Sequence, residues 1–318
     1  MPITGVYFIP ATTSTTPSAM EHITQRLKST FKEADLIPIG RWVMEQKIMR
    51  DTPGLLPHTN PNEKPPKPRW MQFLSLSHYK NHGFIYTSEP LEKPFHPPNA
   101  ASPVPSAMPA TNAGDTLPMI MATMSHSACK TMFQHFSYAC QPFWAHRLTL
   151  TVPNGVYYDV GDFRVRVGDV RQTFPSLRAR GTLVEIEWRG PSMIDSFTAT
   201  VASNGENSDS GVDVSFSALE DADVDAEYAA TALLIREFWQ RLGVEGAKEA
   251  ILVPGVGSEV KEQLAKVKSG KHVFDKRAQR GDAILKKLGL SDSTEQDPDP
   301  QAGVDVARQY MEVLRFNR

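Results

Sequence analysis

Two short segments carry the charged side chains best arranged for chemistry. In "GDFRVRVGDV", Gly161 to Val170, Arg164 and Arg166 alternate with Phe163, Val165 and Val167; in "GTLVEIEWRG", Glu185, Glu187 and Arg189 alternate with Val184, Ile186 and Trp188. Period-two alternation puts the charged set on one face of a strand and the apolar set on the other. Carboxylates that hold a divalent cation, beside guanidinium groups that grip phosphate, would equip a metal-dependent phosphohydrolase.

The Glu-x-Glu-x-Arg spacing resembles the Glu-x-Glu-x-Lys signature of triphosphate tunnel metalloenzymes, with Arg189 in place of the lysine. That reading requires Arg164, Arg166, Glu185, Glu187 and Arg189 to converge inside one barrel, with Phe163 and Trp188 outside. A simpler reading uses the same residues. Opposed Arg and Glu on neighbouring antiparallel strands gain about 0.2–1 kcal/mol per pair. The apolar side chains behind them gain roughly 1.5–3 kcal/mol each on burial. Burial dominates, so Phe163, Val165, Val167, Val184, Ile186 and Trp188 are expected to fold the strands. Arg164, Arg166, Glu185 and Glu187 then form an exposed charged face and are candidate partner contacts. No residue is assigned to catalysis, to a cofactor or to a metal.

Other constellations are weaker. His126, Cys129, His135 and Cys140 lie within fifteen residues, but structural zinc sites use two close pairs, and only His126 and Cys129 are close. His78 and His82 flank an expected turn and lack the glutamate of a metalloprotease helix. Gly255 and Gly257 precede a helix whose N-terminus can hold an anion, yet the third glycine of a dinucleotide fingerprint and the Lys-Ser/Thr ending of a P-loop are missing. No Gly-x-Ser-x-Gly elbow occurs. The formal net charge of -2 argues against a chain held on nucleic acid by its overall field. Two cysteines cannot build a disulfide framework, no apolar run reaches membrane-spanning length, and "MPITGVYFIP" lacks signal-peptide features, so a soluble cytosolic or nuclear protein is expected.

The elements that must position these residues follow from periodicity. "ITGVYFI" reads as a strand stopped by Pro10. Ser18 and Glu21 have capping-box spacing ahead of a helix with Met20, Ile23, Leu27 and Phe31 on one face. Leu36–Arg50 reads as strand, and "WMQFLSLSHYKNHGFIYTSE" as a hairpin turning near Asn81 to Gly83. A helix is expected near 125–137 and a strand in "FWAHRLTLTV". "SFTATVA" and "VDVSFS" are further strand candidates. The middle third thus predicts an antiparallel meander with one wet face. Ala226, Ala230, Leu234, Ile235, Phe238 and Leu242 form one helical stripe ending at Gly243. Residues 258–288, with nine Lys/Arg against four Asp/Glu, read as solvated helix, and Val306, Tyr310, Val313 and Leu314 share one face of a closing helix. Of the 25 prolines, 13 fall between Pro53 and Pro109, a composition unsuited to packed elements. The fold class read from this pattern is α+β, an antiparallel sheet flanked by helices, and the length admits one core with long insertions and two domains equally. Proline-rich and polar mobile insertions are expected at 52–68, 89–116, 203–211 and 291–302.

The ordered set "YYDVGDFRVRVGDV", "RGTLVEIEW", "ALLIREFWQRLG" and "VARQYMEVLRF" resembles the family of Mediator subunit 20, also called TBP-related-factor-proximal proteins. "MPITGVYFIP", "ITQRLKSTF", "GRWVMEQKI" and "FLSLSHYKNHGFIY" are similar to its fungal branch. The resemblance implies a nuclear, non-enzymatic subunit of the Mediator head module. It would pair directly with Mediator subunit 18, itself tethered by subunit 8, and form a movable jaw that passes activator signals to RNA polymerase II and the preinitiation complex. It implies an incomplete or closed antiparallel β-barrel flanked by helices, which makes the expectation a single β-barrel-like domain over 1–318, with no cofactor, no direct nucleic acid and no membrane. The proline-rich insertions and the basic stretch after Gly255 depart from the family pattern.

Overall fold

The computed structural model describes residues 3–11, 19–32, 36–52, 68–88, 120–194, 219–268 and 302–315. Nine strands, β1 Thr4–Pro10, β2 Gly40–Asp51, β3 Trp70–Leu76, β4 His82–Ser88, β5 Ile120–Ser125, β6 Trp144–Val160, β7 Phe163–Phe174, β8 Arg178–Trp188 and β9 Lys248–Ala250, form one sheet. Its order is β5-β4-β3-β2-β6-β7-β8-β1-β9, and every neighbouring pair is antiparallel. The edge strands β5 and β9 do not pair with each other, so of the two barrel forms expected the sheet takes the open one. Hairpin connections generate the run β6-β7-β8, because alternating segments separated by short turns pair with their sequence neighbours. Two placements break sequential order: β2 pairs with β6, and β1 inserts between β8 and β9, matching Thr4 with Glu187 through Pro10 with Gly181.

Among the described residues there are five helices: α1 Ala19–Thr30, α2 His126–Tyr138, α3 Asp221–Leu242, α4 Ser258–Lys268 and α5 Val304–Val313. α1 and α3 pack on one face, where Ile23, Leu27, Ile235 and Phe238 meet Tyr7, Val165, Val167, Val184 and Ile186. Tyr7 stacks on Trp239 with ring centroids 4.1 Å apart, and Phe163 lies 4.7 Å from Phe238. Such ring pairs add about 0.5–1.5 kcal/mol beyond area burial. The opposite face receives α5, whose Val306, Ala307, Tyr310 and Met311 join Val6, Phe8, Trp42, Met44, Val152 and Leu183. α2 closes on Met49, Phe73 and Ile85 at the β2-β3-β4 end, while α4 joins α3 through Val224, Tyr228, Val260 and Leu264.

Several expectations are corrected here. The stretch of β7–β8 from Val165 to Val170 and Leu183 to Ile186 has no wet face, because α1 and α3 cover one side and α5 the other. Strand β2 begins at Gly40 rather than Leu36, leaving Ile37 and Ile39 exposed. The β3–β4 turn falls at 77–81, where Asn81 adopts φ 61, rather than at Asn81 to Gly83. On α3, Ala226, Ala230 and Leu234 are exposed; the buried face is Val224, Tyr228, Thr231, Ile235, Phe238, Trp239 and Leu242. β5 and β9 were not foreseen: one is short of β-branched residues and the other is three residues long. The Ser18 cap, "SFTATVA", "VDVSFS", all of 269–288 and nearly all of the four insertions lie outside the described residues.

The β1–β8 pairing depends on one glycine. Gly181 sits opposite Pro10 with φ +153, and a Cβ there would meet the Ile9 carbonyl oxygen at 2.1 Å. Gly181→Ala should therefore lose about 1–3 kcal/mol of stability, read as a drop of several degrees in the thermal midpoint. An unchanged melt would show that β1 can shift away from β8 without cost.

Candidate functional site

The β7–β8 register sets Arg166 opposite Glu185 and Arg164 opposite Glu187, as alternation predicts. Their exposure does not follow the expectation. Arg166 is 6% and Glu185 1% exposed, both on the sheet face that α5 covers. Two-residue periodicity separates two faces of a strand but carries no information about a helix from the far end of the chain lying on the charged one. Arg166 Nη1 donates to Glu185 Oε1 and lies 2.7 Å from Glu187 Oε2. The Tyr310 hydroxyl, from α5, donates to Glu185 Oε2 at 2.5 Å. His78, just beyond β3, places Nε2 3.5 Å from the same oxygen, yet neither ring nitrogen has a hydrogen-bond partner. Trp42 meets the rings of His78 and Tyr310 edge to face, each at 6.3 Å.

Arg164 and Arg189 separate from this group. Arg164 donates to both oxygens of Asp159, at 2.7 and 3.0 Å, and Arg189 adds a bond to the same carboxylate at 3.1 Å. These three form a partly exposed rim. The set named from sequence is therefore divided: Arg166, Glu185 and Glu187 come together on the inside, whereas Arg164 and Arg189 gather at the edge.

Competing terms explain the protonation states. Burial pushes the Glu185 carboxyl up, but Arg166, His78 and Tyr310 together hold it below the usual carboxylate range. Burial disfavours the Arg166 cation, and Glu185 and Glu187 reverse that, raising it. For His78 burial wins: it lowers the imidazole to about 4 despite the attraction of Glu185, with Arg166 adding to the effect. At neutral pH the cluster therefore holds a carboxylate, a guanidinium and a neutral imidazole. The Glu185 oxygens are engaged by Arg166 and Tyr310, while the His78 ring nitrogens stay unbonded. The inward convergence that a tunnel phosphohydrolase needs is partly met, with Phe163 and Trp188 toward the other side, but Tyr310 of α5 stands against the carboxylates where a substrate would bind.

The chain fixes α5 in that position at four points. Gly303, its N-cap, has φ +75 and leaves room for Tyr79, whose ring would lie 2.7 Å from a Cβ. The Asp305 carboxylate accepts from the Tyr228 hydroxyl at 2.7 Å and from the Gly257 N–H at 3.1 and 3.2 Å. Arg308 donates to Glu259 at 2.5 Å and to the Gly255 carbonyl at 2.6 Å. Gln309 donates to the carbonyls of Thr4 and Ile251 at 2.7 and 2.8 Å and accepts from the Thr4 hydroxyl at 2.5 Å. The loop of Gly255 and Gly257 thus does meet an anion, and it is the chain's own Asp305. Burial raises that carboxyl to about 6, opposed first by its bond from Tyr228 and reinforced by Glu259.

Sequence reasoning missed Asp305, Arg308 and Gln309, paired His78 with His82 rather than with Glu185, and placed Tyr310 on an apolar stripe. The one available signal was polar residues punctuating a short closing helix; their partners lie up to 305 residues away along the chain. The remaining candidates do not assemble. His126 contacts Ser75 at 3.1 Å, His82 contacts the Lys80 carbonyl at 2.8 Å, and burial pushes the Cys129 thiol up to about 11. Among the described residues no group of three or more His, Cys, Asp or Glu side chains is placed to hold a metal.

A protein-family model described as TATA-binding related factor (TRF) of subunit 20 of Mediator complex matches residues 1–315. Among curated proteins no relative matches the chain.

Two outcomes follow from the cluster. Tyr310→Phe removes the hydroxyl from a buried carboxylate, and equilibrium denaturation should show a loss of about 1–3 kcal/mol with the fold retained; an equally stable variant would mean Glu185 finds a replacement donor. The pH profile isolates His78. Its folded pKa of about 4 lies below the ordinary 6.5, so the unfolded chain takes up the proton first as pH falls. The stability His78 contributes is complete above about 6.5 and lost as pH falls toward about 4, with a limiting slope near 1.4 kcal/mol per pH unit. His78→Leu should flatten the denaturation free energy across that window relative to wild type; parallel profiles would contradict the assignment.

Proposed function

The chain belongs to the Mediator subunit 20 family, and from that membership we propose that it is a non-enzymatic subunit of the Mediator head module, acting in the nucleus. In this reading it pairs directly with Mediator subunit 18, is linked through it to subunit 8, and relays activator signals to RNA polymerase II and the preinitiation complex. Its place in the Mediator complex and in transcription regulation comes with the family; the module, the direct partner and the absence of catalysis are our reading. The observation that carries it is the family match over residues 1–315, covering β1 through α5.

The engagement of the charged residues supports the same conclusion. Glu185, Glu187 and Arg166, the side chains best suited to phosphate chemistry, bind one another and Tyr310 rather than facing an open site. As partner contacts the four sequence candidates are no longer equivalent. Arg166 and Glu185 are buried within the chain, so the Arg164–Asp159–Arg189 rim is the part of this charged set that a partner reaches.

Affinity purification of the tagged full chain from nuclear extract should recover Mediator subunits, with subunit 18 retained through the most stringent wash. Coexpression with subunit 18 alone should yield a one-to-one complex by light scattering. Elution as a free monomer in both experiments would overturn the proposal.

A further inference from the structure

Helix α3 carries two apolar faces, and the fold uses one. Val224, Tyr228, Ile235, Phe238 and Leu242 are buried against the sheet and its neighbours. On the opposite side Ala222, Ala226, Ala229, Ala230, Leu233 and Leu234 are exposed, with Leu233 63% and Leu234 40% accessible. At 1.5 Å per residue the face from Ala222 to Leu234 is about 18 Å long. Glu227 extends it sideways: its carboxylate accepts from the backbone N–H of Met193 at 3.0 Å and of Ile194 at 3.2 Å, holding Met193, 54% exposed, beside the helix. A surface helix of a globular protein ordinarily shows solvent a polar face, and exposed leucines grouped this way mark an interaction surface.

Charge identifies the occupant. Glu220, Asp221 and Asp225 are exposed at the N-terminal end of the apolar face, and Glu237 at its C-terminal end. Asp225 remains 67% exposed even with Lys261 at 2.6 Å. Arg241, the exposed cation of α3, is paired with Glu237 at 2.6 Å. A second copy of the chain laid on this face would bring carboxylates together in either orientation: Asp221 and Asp225 against themselves when parallel, against Glu237 when antiparallel. Like charges at such contacts are unfavourable, whereas cations opposite them set both partner choice and encounter rate.

We propose that the Ala222–Leu234 face of α3 docks an amphipathic helix of a partner protein, one with an apolar seam fringed by lysine or arginine. The alanines allow the partner's backbone within the 8–10 Å of close helix packing, and Leu233 and Leu234 enter its seam. The proposal rests on the reading of the chain as an interaction subunit only in requiring a protein partner.

The test uses the full chain and an 18-residue fluorescent helix with a Leu/Ala seam and a lysine fringe, alongside its glutamate-fringed counterpart. Anisotropy should show saturable binding of the lysine helix. That binding should weaken about tenfold in Leu233→Asp and in Ala229→Glu, and weaken again as salt rises. The two variants change exposed positions, so their far-ultraviolet circular dichroism and melting should match wild type and exclude misfolding as the cause. Equal binding of the glutamate helix, or unchanged affinity in both variants, overturns the proposal. So does a wild-type dimer abolished by Leu233→Asp, which assigns the face to a second copy. Binding that emerges only after deletion of residues 195–218 assigns it to the chain's own segment and likewise overturns it. Failure of wild type to co-purify with Mediator subunits would sink the family-based function while leaving the peptide result standing; the two failures are therefore distinguishable.

Discussion

A carboxylate with about 1% of its surface in contact with water has to be matched, and the matching of Glu185 organises this fold. Desolvating an unpaired carboxylate costs several kcal/mol, so the strand position is tenable only with a cation and further donors close by. Arg166 arrives through strand register, because β7 and β8 are hairpin neighbours. Tyr310 arrives from 125 residues further along the chain, and its hydroxyl meets the carboxylate only if α5 lies on that face. The interaction thus couples a locally formed hairpin to the last helix. Gln309 extends the coupling to the other end of the sequence by bonding Thr4 on β1, so first strand, middle hairpin and last helix depend on one arrangement.

The hydrophobic terms supply most of the stability here, and the polar terms select the geometry. α5 buries Val306, Ala307, Met311 and Val313 on the sheet, but an apolar helix could slide along an apolar surface at little cost. Four polar attachments, through Asp305, Arg308, Gln309 and Tyr310, remove that freedom, because the partners of each sit at fixed places on other elements and a shift of one turn would break the bonds together. His78 is the residue this arrangement leaves unsatisfied. Held 3.5 Å from Glu185 with neither nitrogen bonded, it stays neutral because burial outweighs the neighbouring charge.

What could be read from the sequence divides along the same line. Alternation in 163–167 and 184–188 identified β7 and β8, their pairing and the division of residues between faces, since period two is a property of the strand alone. The stripe Val306, Tyr310, Val313, Leu314 identified α5 for the same reason. Exposure was not legible, because it depends on which element covers a face. Arg166 and Glu185 looked like the wet side of a sheet and are inside; Ala226, Ala230 and Leu234 looked like core and are outside. On α3 the sequence "AATALLI" is apolar around most of the helix, so periodicity could not say which side meets the sheet. β5, with "IMATMS", has only Ile120 and Thr123 of the branched residues that mark strands, and its pairing with β4 is imposed by tertiary context.

These inversions share a cause that bears on function. On the proposed reading as an interaction subunit, some apolar surface must stay outside, and charged side chains can be buried where they order the chain's own elements. The charged pattern of β7 and β8 suggested an active site because carboxylates and guanidinium groups at strand spacing are what phosphate chemistry uses. The same chemistry, turned inward and closed by a tyrosine, becomes an attachment point for a helix. The geometry distinguishes the two uses by where the free valences lie: an active site presents them to a cavity, whereas here the Glu185 oxygens are taken up by Arg166 and Tyr310. The fold can therefore carry the polar pattern of an enzyme while directing it to the placement of α5.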